Sequence, residues 1–154
     1  MNKKMILRKM IILLTVIIVV FTVACTQEEA EDKVGAYTTA IEKLYEEDSA
    51  LNSDIQYIAI DTSTIVNLDD EEKDALLEEL EDYGYTVLDR TMDELEEEGY
   101  VKDLYFEEGI FFEIEDEEIK GNSITMDISK WRSGLGAIGY DGMIVIYTDD
   151  QWEI

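Results

Sequence analysis

The sequence predicts an α+β domain: an N-terminal helix and a short β-α-β-α unit, then an antiparallel meander, forming a mixed curved sheet with helices on one face. Three observations carry this. Apolar residues recur at helical spacing from Val34 onward, two capping signatures alternate with short apolar runs, and the last third of the chain alternates with a period of two.

Val34, Tyr37, Ile41, Leu44 and Tyr45 make one helical stripe, with acids and Lys43 on the other face. "SALNSD" breaks that helix, and "IQYIAI" (55–60) is apolar at nearly every position, as a buried strand is. After "DTSTIVN", Asp69 caps a second helix and Glu72, three residues on, completes the reciprocal pattern. Leu76, Leu77, Leu80 and Tyr83 form its inner stripe, and Gly84 supplies the left-handed stop. "YTVL" (85–88) is a short strand. Thr91 and Glu94 repeat the cap for a brief third helix with Met92 and Leu95, ending at Gly99. A strand, a helix of this length and a strand predict a crossover that pairs 55–60 with 85–88 in parallel.

Farther on, Ile110, Phe112 and Ile114 alternate with Phe111, Glu113 and Glu115, and Ile124, Met126 and Ile128 with Thr125, Asp127 and Ser129. Gly121-Asn122 fits a two-residue hairpin turn, which sets Ile119 opposite Ile124 and turns odd-numbered residues inward on the first strand. The apolar set 110, 112, 114 is even-numbered, so a bulge or bend is expected near Asp116. A last hairpin, Gly142–Tyr147 with Gln151–Ile154 around Asp149-Asp150, sets Tyr147 opposite Trp152 and Val145 opposite Ile154.

"SGLGAIG" places Gly134, Gly136 and Gly139 in the G-x-G-x-x-G spacing of a dinucleotide-binding turn. That turn needs a helix behind it, whose N-terminal amides hold the pyrophosphate. Here "YDGMIVIY" follows, which reads as a strand, and only 15 residues remain after Gly139. No nucleotide is expected. Two readings of the run stay open. One is a sheet corner against which a helix packs. The other is a ligand- or partner-facing surface of Trp131, Arg132, Gly134, Gly136, Gly139 and Tyr140, where an aromatic and a positive charge stand out on an acidic protein.

The chain opens with Lys3, Lys4, Arg8 and Lys9, then runs apolar from Met10 to Ala24 and stops at Cys25, its single cysteine. Those 15 residues are short for a bilayer span, which needs roughly 20, and suit the core of an export signal. "TVAC" is similar to a lipobox, with Ala24 before the cut and Cys25 taking the lipid, although Thr22 stands where leucine is usual. The alternative is an uncleaved signal anchor. Either way the remainder lies outside the cell. The expected organisation is a signal peptide over 1–24, a lipidated cysteine and polar leash over 25–33, and one domain over 34–154. With no second cysteine, packing alone must hold that domain.

All 38 Asp and Glu follow Cys25, against eight of the 12 Lys and Arg, since four precede it; the exported part carries a formal charge of −30. Such a field excludes nucleic acid and phosphorylated ligands, which are held by Lys and Arg. It leaves cationic peptides, basic wall components or loosely held cations.

"KWRSGLGAIG", with "YIAIDTST" upstream, resembles a group of small lipoproteins from Gram-positive bacteria without assigned function, some labelled peptide-transporter substrate-binding lipoproteins. The resemblance implies surface tethering and an α+β domain, and transfers no catalytic residue. A two-lobed solute receptor needs two domains, about twice this length.

With no histidine, Ser-His-Asp triads, Cys-His pairs and ordinary zinc sites are excluded. A calcium loop begun at Asp61 fails, because Val66 stands where glycine is required and Ile65 replaces an oxygen ligand. Tyr57, Asp61 and Thr62 end a buried strand, where sites form, but the same residues cap turns. No catalytic residue, metal or cofactor is singled out. The leading expectation is a non-catalytic binding or interaction module at the cell membrane, for a peptide, a wall component or a membrane protein partner. The alternative is a small enzyme using carboxylates and tyrosines in a cavity between helix and sheet.

Overall fold

A computed structural model describes residues 32–154; the expected signal peptide and the expected lipidation site Cys25 lie outside them. Helix α1 (Val34–Glu46) leads into a 3₁₀ turn, then β1 (Tyr57–Ile60), α2 (Asp70–Glu81), β2 (Thr86–Asp89) and α3 (Met92–Glu97). Four further strands follow: β3 (Gly109–Asp116), β4 (Ser123–Ser133), β5 (Gly136–Thr148) and β6 (Gln151–Glu153). They form one sheet in the order β2-β1-β3-β4-β5-β6, with β1 parallel to both β2 and β3 and the rest antiparallel.

Both capping boxes form. Asp69 accepts from Glu72 N while the Glu72 carboxylate takes Asp69 N–H, and Thr91 and Glu94 do the same for α3. Gly84 and Gly99 end their helices at φ +85° and +82°, where a Cβ would be strained.

The main core lies between the sheet and the two long helices. Ala36, Ala40, Ile41 and Leu44 of α1 and Leu76 and Leu80 of α2 meet Ile58, Ile60, Ile110, Phe112 and Ile114. The two alanines on the inner face of α1 alternate with the bulkier Tyr37, Ile41 and Leu44, which fill the space between helix and sheet. Helix α3 lies on the opposite face: Leu95 joins Ala59, Val101, Phe106 and Phe111 in a second, smaller core. Phe111 and Phe112 are adjacent in β3 and point to opposite faces, so each anchors a different core.

The parity conflict resolves as the two registers require. Ile114↔Ile128 and Asp116↔Met126 keep even residues inward, Glu117 N still bonds Thr125 O, and then Lys120 pairs with Ser123 across the Gly121-Asn122 turn. The extra residue sits between Glu117 and Lys120, and Ile119 packs on the same core as Ile114. Asp116 pins this bend. It accepts from Tyr37 Oη at 2.5 Å, Asn67 Nδ2 at 2.6 Å and Val66 N at 2.8 Å, joining α1, the loop before α2 and β3.

The last hairpin has Tyr147↔Trp152, with Asp149 and Asp150 at φ +51° and +64°, the primed turn that two-residue hairpins favour. Three expectations need correction. Ile154 lies past β6 and is exposed, so it does not pair with Val145. Strand β5 begins at Gly136, not Gly142, because the glycine run is itself a hairpin. Asp32 and Lys33, expected in the leash, are held: Trp152 Nε1 donates to Asp32 O, and Lys33 Nζ bonds Asn67 O and Glu72.

Candidate functional site

Ser133 pairs with Gly136 across a turn whose central residues are Gly134 and Leu135. The motif therefore joins two strands and offers no helix N-terminus to a phosphate. Both central residues have negative φ, so this is not the primed turn that matches strand twist, and the register shifts between Trp131 and Ser133. The glycines do not serve positive φ. A Cβ on Gly139 would stand 2.8 Å from Ile128 O, and one on Gly136 2.9 Å from Leu51 Cδ2, whereas Gly134 has nothing nearer than 3.9 Å. Gly139 is required by its close approach to the main chain, and at Gly136 an added Cβ would crowd side-chain ends that can shift. Gly134 is free of both.

Lys130, Trp131 and Arg132 alternate along β4 and part company. Lys130 is fully buried on the inner face, where its ammonium donates to the carbonyls of Tyr45, Glu47 and Asp48 and to Asn52 Oδ1, at 2.6–3.3 Å. Desolvation lowers its pKa, against the Asp48 and Glu47 charges. Trp131 is half-buried on the outer face beside the small core. Arg132 donates to the carbonyls of Leu51 (2.8 Å), Ser53 (2.6 Å) and Glu107 (2.7 Å), and its Nε is buried without a partner. Its charge holds loops together.

Tyr140 turns inward and donates to the Glu47 carboxylate. That bond raises the tyrosine pKa and, with Lys43 beside it, lowers that of Glu47. The six residues singled out by sequence thus fall on two faces of the sheet and a turn, because neighbours in a strand point apart.

What the turn does bring together is apolar. Lys102 and Tyr105 close a second tight turn through reciprocal backbone bonds, with Asp103 and Leu104 at φ +51° and +58°. Gly134 N donates to Leu104 O at 3.0 Å, tying the two turns side by side. Leu135 is fully exposed and Leu104 is 65% exposed, with Tyr105, 43% exposed, beside them and Arg132 5.9 Å from its ring. This tip lies by the C-terminal end of α1, where Leu51 meets Gly136. Asp32 lies at the other end of a 13-residue helix, roughly 20 Å away at 1.5 Å per residue. Sequence reasoning missed Leu104, Tyr105 and Leu135. Leu135, a large apolar residue between two glycines, was the available signal.

Two concavities open on the surface, the first beside the tip. One, of about 180 Å³, is lined by Tyr100, Tyr105, Phe106, Glu107 and Glu108, with Lys102 at its wall. The other, of about 170 Å³ on the outer sheet face, is lined by Glu113, Glu115, Asp127, Asp141 and Gly139, among others. Neither lies between α1 and the sheet, where core side chains fill the space. Asp61 and Thr62 are engaged locally: Asp61 accepts from Ser63 N, and Thr62 is buried with its hydroxyl on Asp89. Among the described residues, no group of three potential ligands could hold a metal, and no helix is long and apolar enough to cross a membrane.

No protein-family model matches this chain, and neither a curated protein nor a solved structure matches it.

Proposed function

We propose that this protein is a lipid-anchored module on the extracytoplasmic face of the cell membrane that binds a partner without transforming it. The observation that carries the binding part is the exposed pair Leu104 and Leu135 on adjoining tight turns. Apolar side chains offered at a tip of an otherwise acidic surface lose water only when something covers them. The anchoring part rests on the leader: four cations, 15 apolar residues and Cys25 in "TVAC". The resemblance to small Gram-positive lipoproteins supports the same reading, with Cys25 carrying diacylglycerol and palmitate-like acyl chains. The partner is a peptide, a wall component or a membrane protein whose contact surface is apolar with basic surroundings, as the charge of −30 favours.

Metabolic labelling with a radioactive fatty acid tests the anchor: wild type takes the label and Cys25→Ser does not. Labelling of Cys25→Ser would refute lipidation there. Crosslinking in intact cells tests the module. The double variant Leu104→Asp/Leu135→Asp should melt like wild type and lose its crosslinked partner, while retention of every crosslink would refute the tip.

A further inference from the structure

Strand β6 pairs with only Ile146–Thr148 of β5. Among the described residues, no strand lies against the outer side of β5 from Gly136 to Val145. The direction of its backbone groups follows from the ladder. Glu117 N donates to Thr125 O, so odd-numbered residues of β4 turn their amide and carbonyl toward β3, and even-numbered ones toward β5. The bond from Tyr147 N to Asn122 O on the β5 side agrees. Ile128 and Lys130 therefore bond their partners Tyr140 and Ile138, and the residues between, Ala137 and Gly139, present N–H and C=O at the open edge.

This edge lacks the usual guards. From Gly136 to Tyr140 it has no proline and no charge, and the residues facing out are a small alanine and a glycine. Only beyond them does Asp141 introduce charge and Gly142, at φ +67°, a bulge. Pairing between two copies is opposed by a charge of −30 on each. Beside Gly139, on the outer face, lies the concavity lined by Glu113, Glu115, Asp127 and Asp141. A strand laid on β5 would send alternate side chains over Gly139 toward those carboxylates.

We infer that the Gly136–Tyr140 edge of β5 receives an extended, basic segment of a partner polypeptide as an added strand, held by Ala137 and Gly139 backbone bonds and by Lys or Arg side chains in the acidic concavity. Backbone pairing supplies affinity, and the alternating pocket supplies selectivity for positive charge. The inference rests on the interaction-module reading and names the partner's chemistry.

The probe is a blocked octapeptide alternating lysine and valine, compared with its glutamate–valine counterpart and with the same basic peptide N-methylated at every residue. Only the first should bind and slow amide exchange at Ala137 and Gly139. Ala137→Pro removes one outward N–H and no ladder bond, so it should fold and lose about tenfold in affinity, the value of one hydrogen bond. Should that variant not fold, Glu113→Gln/Glu115→Gln serves instead, weakening the basic peptide while leaving edge exchange in the free protein unchanged. Equal binding of the N-methylated peptide, protection of Ala137 and Gly139 before peptide is added, or full affinity in both variants would overturn the inference. Loss of the cellular partner in Leu104→Asp/Leu135→Asp but not in Ala137→Pro would overturn it while the module reading stands.

Discussion

Lys130 Nζ lies 2.6 Å from the main-chain oxygen of Glu47, just past the end of α1. A helix terminus leaves carbonyls without partners and a partial negative charge, and here a buried ammonium from β4 meets both. The residues are 83 positions apart, so this bond also fastens the first helix to the meander. Lys130→Met would keep the volume and leave the carbonyls of Tyr45, Glu47 and Asp48 to find water. We expect a loss of about 2–4 kcal/mol, read as a lower urea midpoint at unchanged slope. An unchanged midpoint would mean that the helix end is hydrated as well without the lysine.

Tyr37 gives the alkaline limit. Burial first, and then its bond to Asp116, raise the hydroxyl pKa far above the ordinary 10. Tyr45 is pushed up to about 12, by burial first and then by Tyr85. A raised folded-state pKa contributes stability that is complete below pH 10 and declines as pH climbs through the folded value. Tyr37→Phe should therefore cost about 1–2 kcal/mol at neutral pH, where Asp116 loses a donor, and the gap to wild type should narrow above pH 10. Urea unfolding at pH 7, 10 and 11 would show it; a constant gap would exclude Tyr37 as the group responsible.

The legible parts of this fold were those set by neighbours in sequence. Asp69 with Glu72, and Asp149-Asp150, specify their geometry within four residues, and two conflicting hairpin parities sufficed to place the bend after Asp116. What escaped was set at a distance or by face. Phe111 and Trp131 read as single outward residues, though they pack with Leu95 in the second core, because nothing local reveals that a sheet is covered on both sides. Arg132 reads as a ligand-facing charge, whereas it bonds the carbonyls of Leu51, Ser53 and Glu107. The turn at Asp103-Leu104 was invisible, having neither glycine nor asparagine at positive φ.

The three glycines of the motif should respond differently to an added side chain. Gly139→Ala forces a Cβ toward the Ile128 carbonyl, which the sheet holds in place, and should cost about 1–3 kcal/mol. Gly136→Val presses on Leu51 and Ser133 and should also destabilise, through crowding. Gly134→Ala meets open space at negative φ and should stabilise by about 0.4–1 kcal/mol through the unfolded chain. Melting temperatures of the three variants rank them. Equal losses at all three would show that the turn, not the close approach, demands glycine.

Leu104 combines two unfavourable features, a branched side chain at φ +58° and an apolar surface left 65% exposed. Neither improves packing, since most of the side chain stays in solvent. A residue strained in backbone and wasted in burial is one whose presence the isolated domain does not explain. Leu104→Gly should relieve the left-handed strain and raise stability by about 0.5–1 kcal/mol. The same variant should lose part of the partner crosslinking in cells, because it deletes one of the two leucines at the tip. Calorimetry and crosslink yield on one variant separate the contributions. A gain in melting temperature with undiminished crosslinking would leave Leu135 and the β5 edge as the contact, and a loss of melting temperature would show that Leu104 is needed for its own turn.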